Sequence, residues 1–226
     1  MTDEPKVDNR YTVKAPVRML LGNVVEPRKV GAKGKEKGDP IYSILVGLTE
    51  GEDLDGLKGT ALRVAKANFP GRAIQNPNAP IDRNAIQLPF SLPSVAAEKA
   101  KKNGKDGAIY EGYKYLFKST SGQEYPPALA VINPDGSIRA LEGQQRSVEG
   151  KNKFYNGCFV GLAVSFKPYW SGSEGGVGEF TGVKAFISAV LFAKDGTRIG
   201  GSAVETFRHF AGAVTTENPL EDEVSF

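Results

Sequence analysis

A mainly β fold with a few added helices, of the α+β class, is predicted by two features of the sequence. Glycine (27) and proline (14) punctuate the 226 residues heavily, which suits short strands joined by long surface loops better than long helices. The hydrophobic residues, 40% of the chain, are enough for a substantial core, and they fall in runs of strand length, several with period-two alternation.

Residues 1–10 read as a flexible N-terminal arm, followed by a single domain over 11–210. YTVKAPVRMLLGNVV (11–25) mixes apolar and basic residues as a strand, bent or bulged at Pro16 and Gly22. EPRKVGAKGKEKGDP (26–40) threads Arg28, Lys29, Lys33, Lys35 and Lys37 among glycines with almost nothing to bury, so a flexible basic loop is expected. PIYSILVGL (40–48) is a continuous run of β-formers and predicts a buried strand. From Asp53, the residues Leu54, Leu57, Ala61, Leu62, Ala65 and Phe69 recur at helical spacing behind a group of acids, and Pro70 and Gly71 end the helix. Pro77, Pro80, Pro89 and Pro93 mark a long irregular excursion, closed by a short basic helix over 94–104.

YEGYKYLFKSTS (110–121) alternates with period two and predicts a strand carrying Tyr113, Tyr115 and Phe117 on one face and Lys114 and Lys118 on the other. Pro134, Asp135 and Gly136 form a turn, and 137–153 reads as a polar loop. GCFVGLAVSFKPYW (157–170) places Cys158, Val160, Leu162, Val164 and Phe166 on one face and is the clearest core strand. A glycine-rich loop (171–182) leads to a further strand over 182–196, and no internal repeat is visible.

One cysteine, Cys158, and one histidine, His209, exclude an intramolecular disulfide and a Cys/His zinc site. No apolar run approaches the roughly 20 residues of a membrane-spanning helix, and the polar N-terminus does not resemble a secretory signal, so a soluble chain in a reducing compartment is expected. The glycine-rich loops lack the spacing of dinucleotide or phosphate-binding loops, and EGEDLDG lacks that of a calcium loop. One hydrolytic pattern remains: Asp135 with Glu149 and Lys151 fits the loose PD…ExK arrangement of magnesium-dependent nucleases. A turn and a polar loop hold these residues, where that chemistry needs a second strand. No cofactor or metal is expected, and a structural role without nucleic acid is the other alternative.

What stands out is aromatic and basic residues interleaved: YKYLFK, then Lys153 with Tyr155, then Lys167 with Tyr169 and Trp170, then Lys184. Flat rings stack unpaired bases while lysines neutralise phosphates, the chemistry of single-strand binding. Three aromatics on one strand face are equally compatible with core packing.

Taken in order, VRMLLGNVVEPRK, PIYSILVGL, the helix, YEGYKYLFKSTSG with PPALAV, FYNGCFVGLAVSFKPYW and GVKAFISAVLFAKDGTRIGG resemble a family of phage single-stranded DNA-binding proteins of the OB-fold kind. The resemblance implies a five-stranded, partly open β-barrel with added helices and long loops. It also implies a non-enzymatic protein whose partner is single-stranded DNA, acting in replication, recombination or repair in the cytoplasm of an infected bacterial host. Homo-oligomerisation stays open.

Residues 217–226, ENPLEDEVSF, carry four acids and no base, so the rest of the chain has 29 bases against 22 acids, a net +7 within an overall +3. A tail over 211–226 of this composition is expected to be disordered. It is similar to the acidic, aromatic-ended tails of replication single-strand binders. That likeness implies that Glu221, Asp222, Glu223 and Phe226 recruit replication or recombination proteins and compete with DNA for a basic groove.

Overall fold

A computed structural model describes residues 8–30, 37–171 and 180–200. Lys33 and Lys35, most of the glycine-rich loop, His209 and the tail residues Glu221, Asp222, Glu223 and Phe226 lie outside the described residues.

The expected first strand divides at Pro16 into β1 (Arg10–Thr12) and β2 (Val17–Val30). β2 runs on into the segment expected to be loop and pairs with β3 (Lys37–Leu48), with Arg28 opposite Ile41 and Val30 opposite Lys37. Charged residues are tolerated there because the register slips along this hairpin and the strands turn their Arg28 and Lys29 side chains to solvent. Asn23 ties the two strands together, donating to the Ile41 carbonyl (2.7 Å) and accepting from Ser43 Oγ (2.6 Å).

Helix α1 (Glu52–Asn68) forms as its periodicity predicts and buries Leu54, Leu57, Ala61, Val64 and Ala65. Its first turn is held by Asp53, whose carboxylate accepts from the backbone N–H of Lys14 (2.7 Å) and Ala15 (3.0 Å) and from the Tyr11 hydroxyl (3.1 Å). The excursion beyond α1 ends in β4 (Phe90–Ser91) and α2 (Pro93–Lys102). A single 3₁₀ turn (Ala108–Tyr110) then leads to β5 (Tyr115–Gly122). The segment expected to be a polar loop instead contains β7 (Ile138–Ala140), paired with β6 (Ala128–Ile132), and helix α3 (Gly143–Lys153). The apolar stripe of α3 is minimal. It is anchored by Arg146, which donates to the Val24 (3.0 Å) and Pro127 (2.7 Å) carbonyls, and by Gly150 lying against Val25.

The remaining strands, β8 (Phe159–Ser171) and β9 (Phe180–Lys194), form the longest hairpin. β2, β3, β5, β9 and β8 pair in that order, and β8 returns to β2 through Val17–Val160 and Arg18–Phe159. This is the five-stranded, OB-type barrel that the resemblance implies. All its strand pairings are antiparallel except β5–β9, which run parallel and meet only at Thr120–Phe186. Its interior holds Val160, Leu162, Val164 and Phe166 of β8 and Val183, Ala185, Ile187, Val190 and Phe192 of β9. An extra residue in β9, at the slip between Ala163 and Val164, shifts the inward phase after Ile187. α2 covers part of the outer surface, packing Ala96, Ala97 and Ala100 on Leu20, Leu45 and Leu116. Among the described residues no helix is long and apolar enough to cross a membrane.

Cys158 is fully buried at the foot of β8, and burial pushes its thiol up to about 11. At pH 8 its reaction with an aromatic disulfide reagent is therefore expected to be about two orders of magnitude slower in the native protein than in urea, from the smaller thiolate fraction alone. Comparable rates would contradict this packing.

Candidate nucleic-acid interface

Period two decides which side chains of the barrel face outward. On β5, Phe117, Ser119 and Ser121 point in, while Lys118, Thr120 and Gly122 point out. Ile41 and Ser43 of β3 stand opposite Gly122 and Thr120, and Phe186 of β9 pairs with Thr120 from the other side. Lys184 precedes Phe186 on the same face, opposite Lys167 of β8, and Tyr169 lies two residues further along. Together these residues form one outward patch across four strands.

Cations and rings alternate diagonally within it. Lys167 Nζ lies 5.4 Å from the Phe186 ring centroid and Lys184 Nζ lies 4.7 Å from that of Tyr169. Such contacts orient the rings at little entropic cost. No ion pair joins Lys118, Lys167 or Lys184 to a carboxylate among the described residues. Half-burial raises the Tyr169 phenol above its ordinary value by desolvation, which keeps it neutral. A groove of about 290 Å³ crosses this patch between Ile41, Leu88, Pro89, Lys118, Tyr169 and Lys184.

Leu88 and Pro89 belong to a segment wedged between β9 and β5. Gln87 accepts from Val183 N–H (2.8 Å) and donates to the Thr181 carbonyl (2.9 Å), while Lys118 N–H donates to Pro89 (3.0 Å) and Phe90 pairs with Phe117. The prolines that mark this stretch as irregular are thus what lets it cross between strands.

Several residues expected at the interface lie elsewhere. Phe117 is fully buried, its ring 5.2 Å from Phe90 and 6.1 Å from Phe166, and offers no face to a base. Tyr115 also turns inward, with Lys58 Nζ 3.5 Å above its ring, and lines a separate pocket of about 220 Å³ beside α1. Tyr113 does not share their face. It precedes the strand, Gly112 before it has φ +82°, and its ring lies flat on Gly47 within the cluster beneath α2.

Lys114 is paired with Glu50 (2.6 Å), and that hydrogen bond raises the lysine and lowers the carboxyl. Lys153 lies over Phe192 and Tyr155 is a latch: its hydroxyl donates to Asp195 (2.8 Å) and accepts from Gly196 N–H (3.0 Å), while Arg198 covers its ring. Both sit at the foot of the β8–β9 hairpin. Val160 there is seven residues below Lys167, about 23 Å along the strand. Trp170 is 62% exposed but lies on the opposite face of β8 from Tyr169, with its ring edge-on to Phe69 of α1's C-terminal end.

Phe186 is not among the residues expected at the interface from sequence. Its signal is nevertheless present there: Val183, Ala185 and Ile187 alternate as inward residues, which puts Phe186 in phase with Lys184.

The nuclease set is engaged elsewhere. Asp135 accepts from Ser137 N–H (2.9 Å) and Oγ (2.6 Å), which lowers its pKa, Glu149 pairs with Arg139 (2.8 Å) and Lys151 with Glu26 (2.6 Å). No group of three metal-ligating side chains occurs among the described residues.

No family model matches the chain, and no curated protein matches it. Solved structures do. The single-stranded DNA-binding protein from bacteriophage Enc34 in complex with ssDNA superposes with a TM-score of 0.54 at 19% identity, covering 87% of this chain and 97% of that one. The same phage's protein with a C-terminal truncation gives 0.52 at 17% identity, over 87% and 95% of the two chains. A further structure of that protein gives 0.52 at 17%, over 92% and 97%. At these identities the likeness is one of fold, and it is the fold expected from the sequence.

The patch depends on Gly182, opposite Tyr169 in the hairpin. A methyl there would come within 2.5 Å of both the Gln87 carbonyl oxygen and the Tyr169 ring. Gly182→Ala is expected to cost about 1–3 kcal/mol in urea unfolding by forcing wedge and ring apart. Gly161→Ala, whose methyl meets only a Leu191 side-chain carbon at 3.4 Å, should cost less; equal costs would refute the role given to Gly182.

Proposed function

We propose that this chain is a non-enzymatic, sequence-independent single-stranded DNA-binding protein, and that the strand lies across the outward patch of β3, β5, β9 and β8. The observation that carries the reading is the joint placement of Lys118, Lys167 and Lys184 with Tyr169 and Phe186 on one barrel face, the lysines without carboxylate partners among the described residues. OB-type barrels bind oligonucleotides on the face of their second and third strands and with the loops between strands one and two and between four and five. In this barrel those strands are β3 and β5. The connections are residues 31–36, which carry Lys33 and Lys35, and 172–179. The shared fold with a phage protein solved in complex with ssDNA supports the same assignment.

Rings without base-edge hydrogen-bond partners read no sequence, since every base has a π-face. The chain's work is accordingly in phage DNA replication, recombination or repair within the host cytoplasm. The acidic tail, with Glu221, Asp222, Glu223 and Phe226, competes with DNA for the lysines and presents Phe226 to partner proteins.

Anisotropy titration with oligo-dT over a range of salt tests the groove. Wild-type affinity should fall steeply with salt, and replacing Lys118, Lys167 and Lys184 with Gln should flatten the log–log slope by roughly 2, about 0.7 for each phosphate no longer neutralised. Absence of wild-type binding at low salt, or an unchanged slope in the triple variant, would refute the reading. For the tail, a chain ending at Thr216 should bind tighter than the full chain at low salt, the difference closing as salt rises. Equal affinities at low salt would remove the competition.

A further inference from the structure

Ile41, which lines the groove, also lines a second hollow with Asp39, Gly122, Glu124 and Tyr125. Tyr125 is 73% exposed, the most exposed of the large hydrophobic side chains among the described residues, and it has no aromatic partner there. Its place is determined by the turn between β5 and β6. Tyr125 N–H donates to the Gly122 carbonyl (3.0 Å), closing a tight turn, and Pro126 and Pro127 follow with fixed φ. The ring is thereby folded back over Gly122, where an added methyl would meet its edge at 3.8 Å. Gly122 is the next outward position of β5 after Lys118 and Thr120, so the Tyr125 ring stands in the same row as the candidate groove. It lies about 7 Å beyond the Thr120–Phe186 pair.

We infer that Tyr125 is a further base-stacking platform, extending the groove by one base position past Ile41. This rests on the single-strand reading proposed above. The side chains around it specify the kind of contact. Asp39 and Glu124 share the hollow with Tyr125, and among the described residues no lysine or arginine lines it. Carboxylates at this end repel phosphates, so the backbone turns outward and the base turns in. Tyr125 itself acts by stacking, whereas Lys118, Lys167 and Lys184 act on the backbone. The two prolines restrict the backbone at Tyr125 before any strand arrives, which lowers part of the ordering cost of stacking on it.

The test is oligo-dT binding by Tyr125→Ala and Tyr125→Phe in the full chain, with thermal unfolding as a check that an exposed side chain was removed without harm. Tyr125→Ala should weaken binding about tenfold with the salt slope unchanged, and Tyr125→Phe should keep the wild-type affinity. Wild-type affinity in Tyr125→Ala would overturn the inference while leaving the groove reading intact. A slope that falls together with affinity would also overturn it, because the residue would then be acting through phosphates. If the wild-type protein itself bound no oligonucleotide, both the reading and the inference would fall.

Discussion

The parallel contact between β5 and β9 is the constraint on which the rest of the barrel depends. Two parallel neighbours in a closed barrel cannot be joined by a tight hairpin, and here they meet at a single residue pair, Thr120–Phe186. The edge of β9 is instead served by three pieces of chain in succession. Gln87 bridges to Gly182, Thr120 to Phe186, and β6 takes over from Ala189 to Phe192. An edge left open at either gap would expose unpaired backbone groups. The wedge from the excursion fills one gap, and the step from β5 to β6 reaches across the other. The groove and the exposed Tyr125 turn both follow from this closure: the groove runs beside the wedge, and the turn is the step.

Much of this architecture is legible in the sequence because it rests on local periodicity. The inward set of β8 is a strict alternation from Cys158 to Phe166, and α1 shows helical spacing with acids at its start. What the sequence conceals depends on contacts between distant residues. Phe117 obeys period two as well as any interface residue would; it is barrel closure, bringing Phe166 of β8 and Phe90 of the excursion against its ring, that makes its face interior. Tyr113 differs for another reason, since the strand begins two residues later and Gly112 resets the chain direction. α3 carries no legible signal because its anchor is Arg146 reaching the carbonyls of Val24 and Pro127, a device with no hydrophobic pattern. The ends of β2 and β3 are disguised because a solvent-facing hairpin tolerates the lysines and glycines that otherwise spell a loop.

Charge is distributed with the same economy. Four ion pairs among the described residues, Lys14–Glu52, Lys114–Glu50, Arg139–Glu149 and Lys151–Glu26, lie outside the candidate groove. Solvent-exposed pairs of this kind contribute little to stability, because water screens them. Their larger effect is on the field, because they neutralise bases away from the groove, whereas Lys118, Lys167 and Lys184 have no carboxylate partner among the described residues. Lys114 illustrates the difference: it sits just before β5, in the segment richest in aromatic and basic residues, yet Glu50 already occupies it.

In the groove itself, aromatic and electrostatic contributions are coupled. Lys167 and Lys184 rest over Phe186 and Tyr169, contacts worth about 0.5–1 kcal/mol at exposed sites. A base stacking on either ring is worth about 1–3 kcal/mol, but it takes the face the ammonium held, so the exchange yields only the difference. On the proposed single-strand reading, the displaced lysine is then free to meet the phosphate that arrives with the base, and the counterion released there offsets the forfeited cation–π attraction. Removing a ring and removing its lysine should therefore weaken binding more together than the two separate effects summed, because each single removal also spares the cation–π contact that binding breaks. Tyr125, whose ring no lysine covers among the described residues, stands outside this coupling, so the contribution inferred for it should add to the rest.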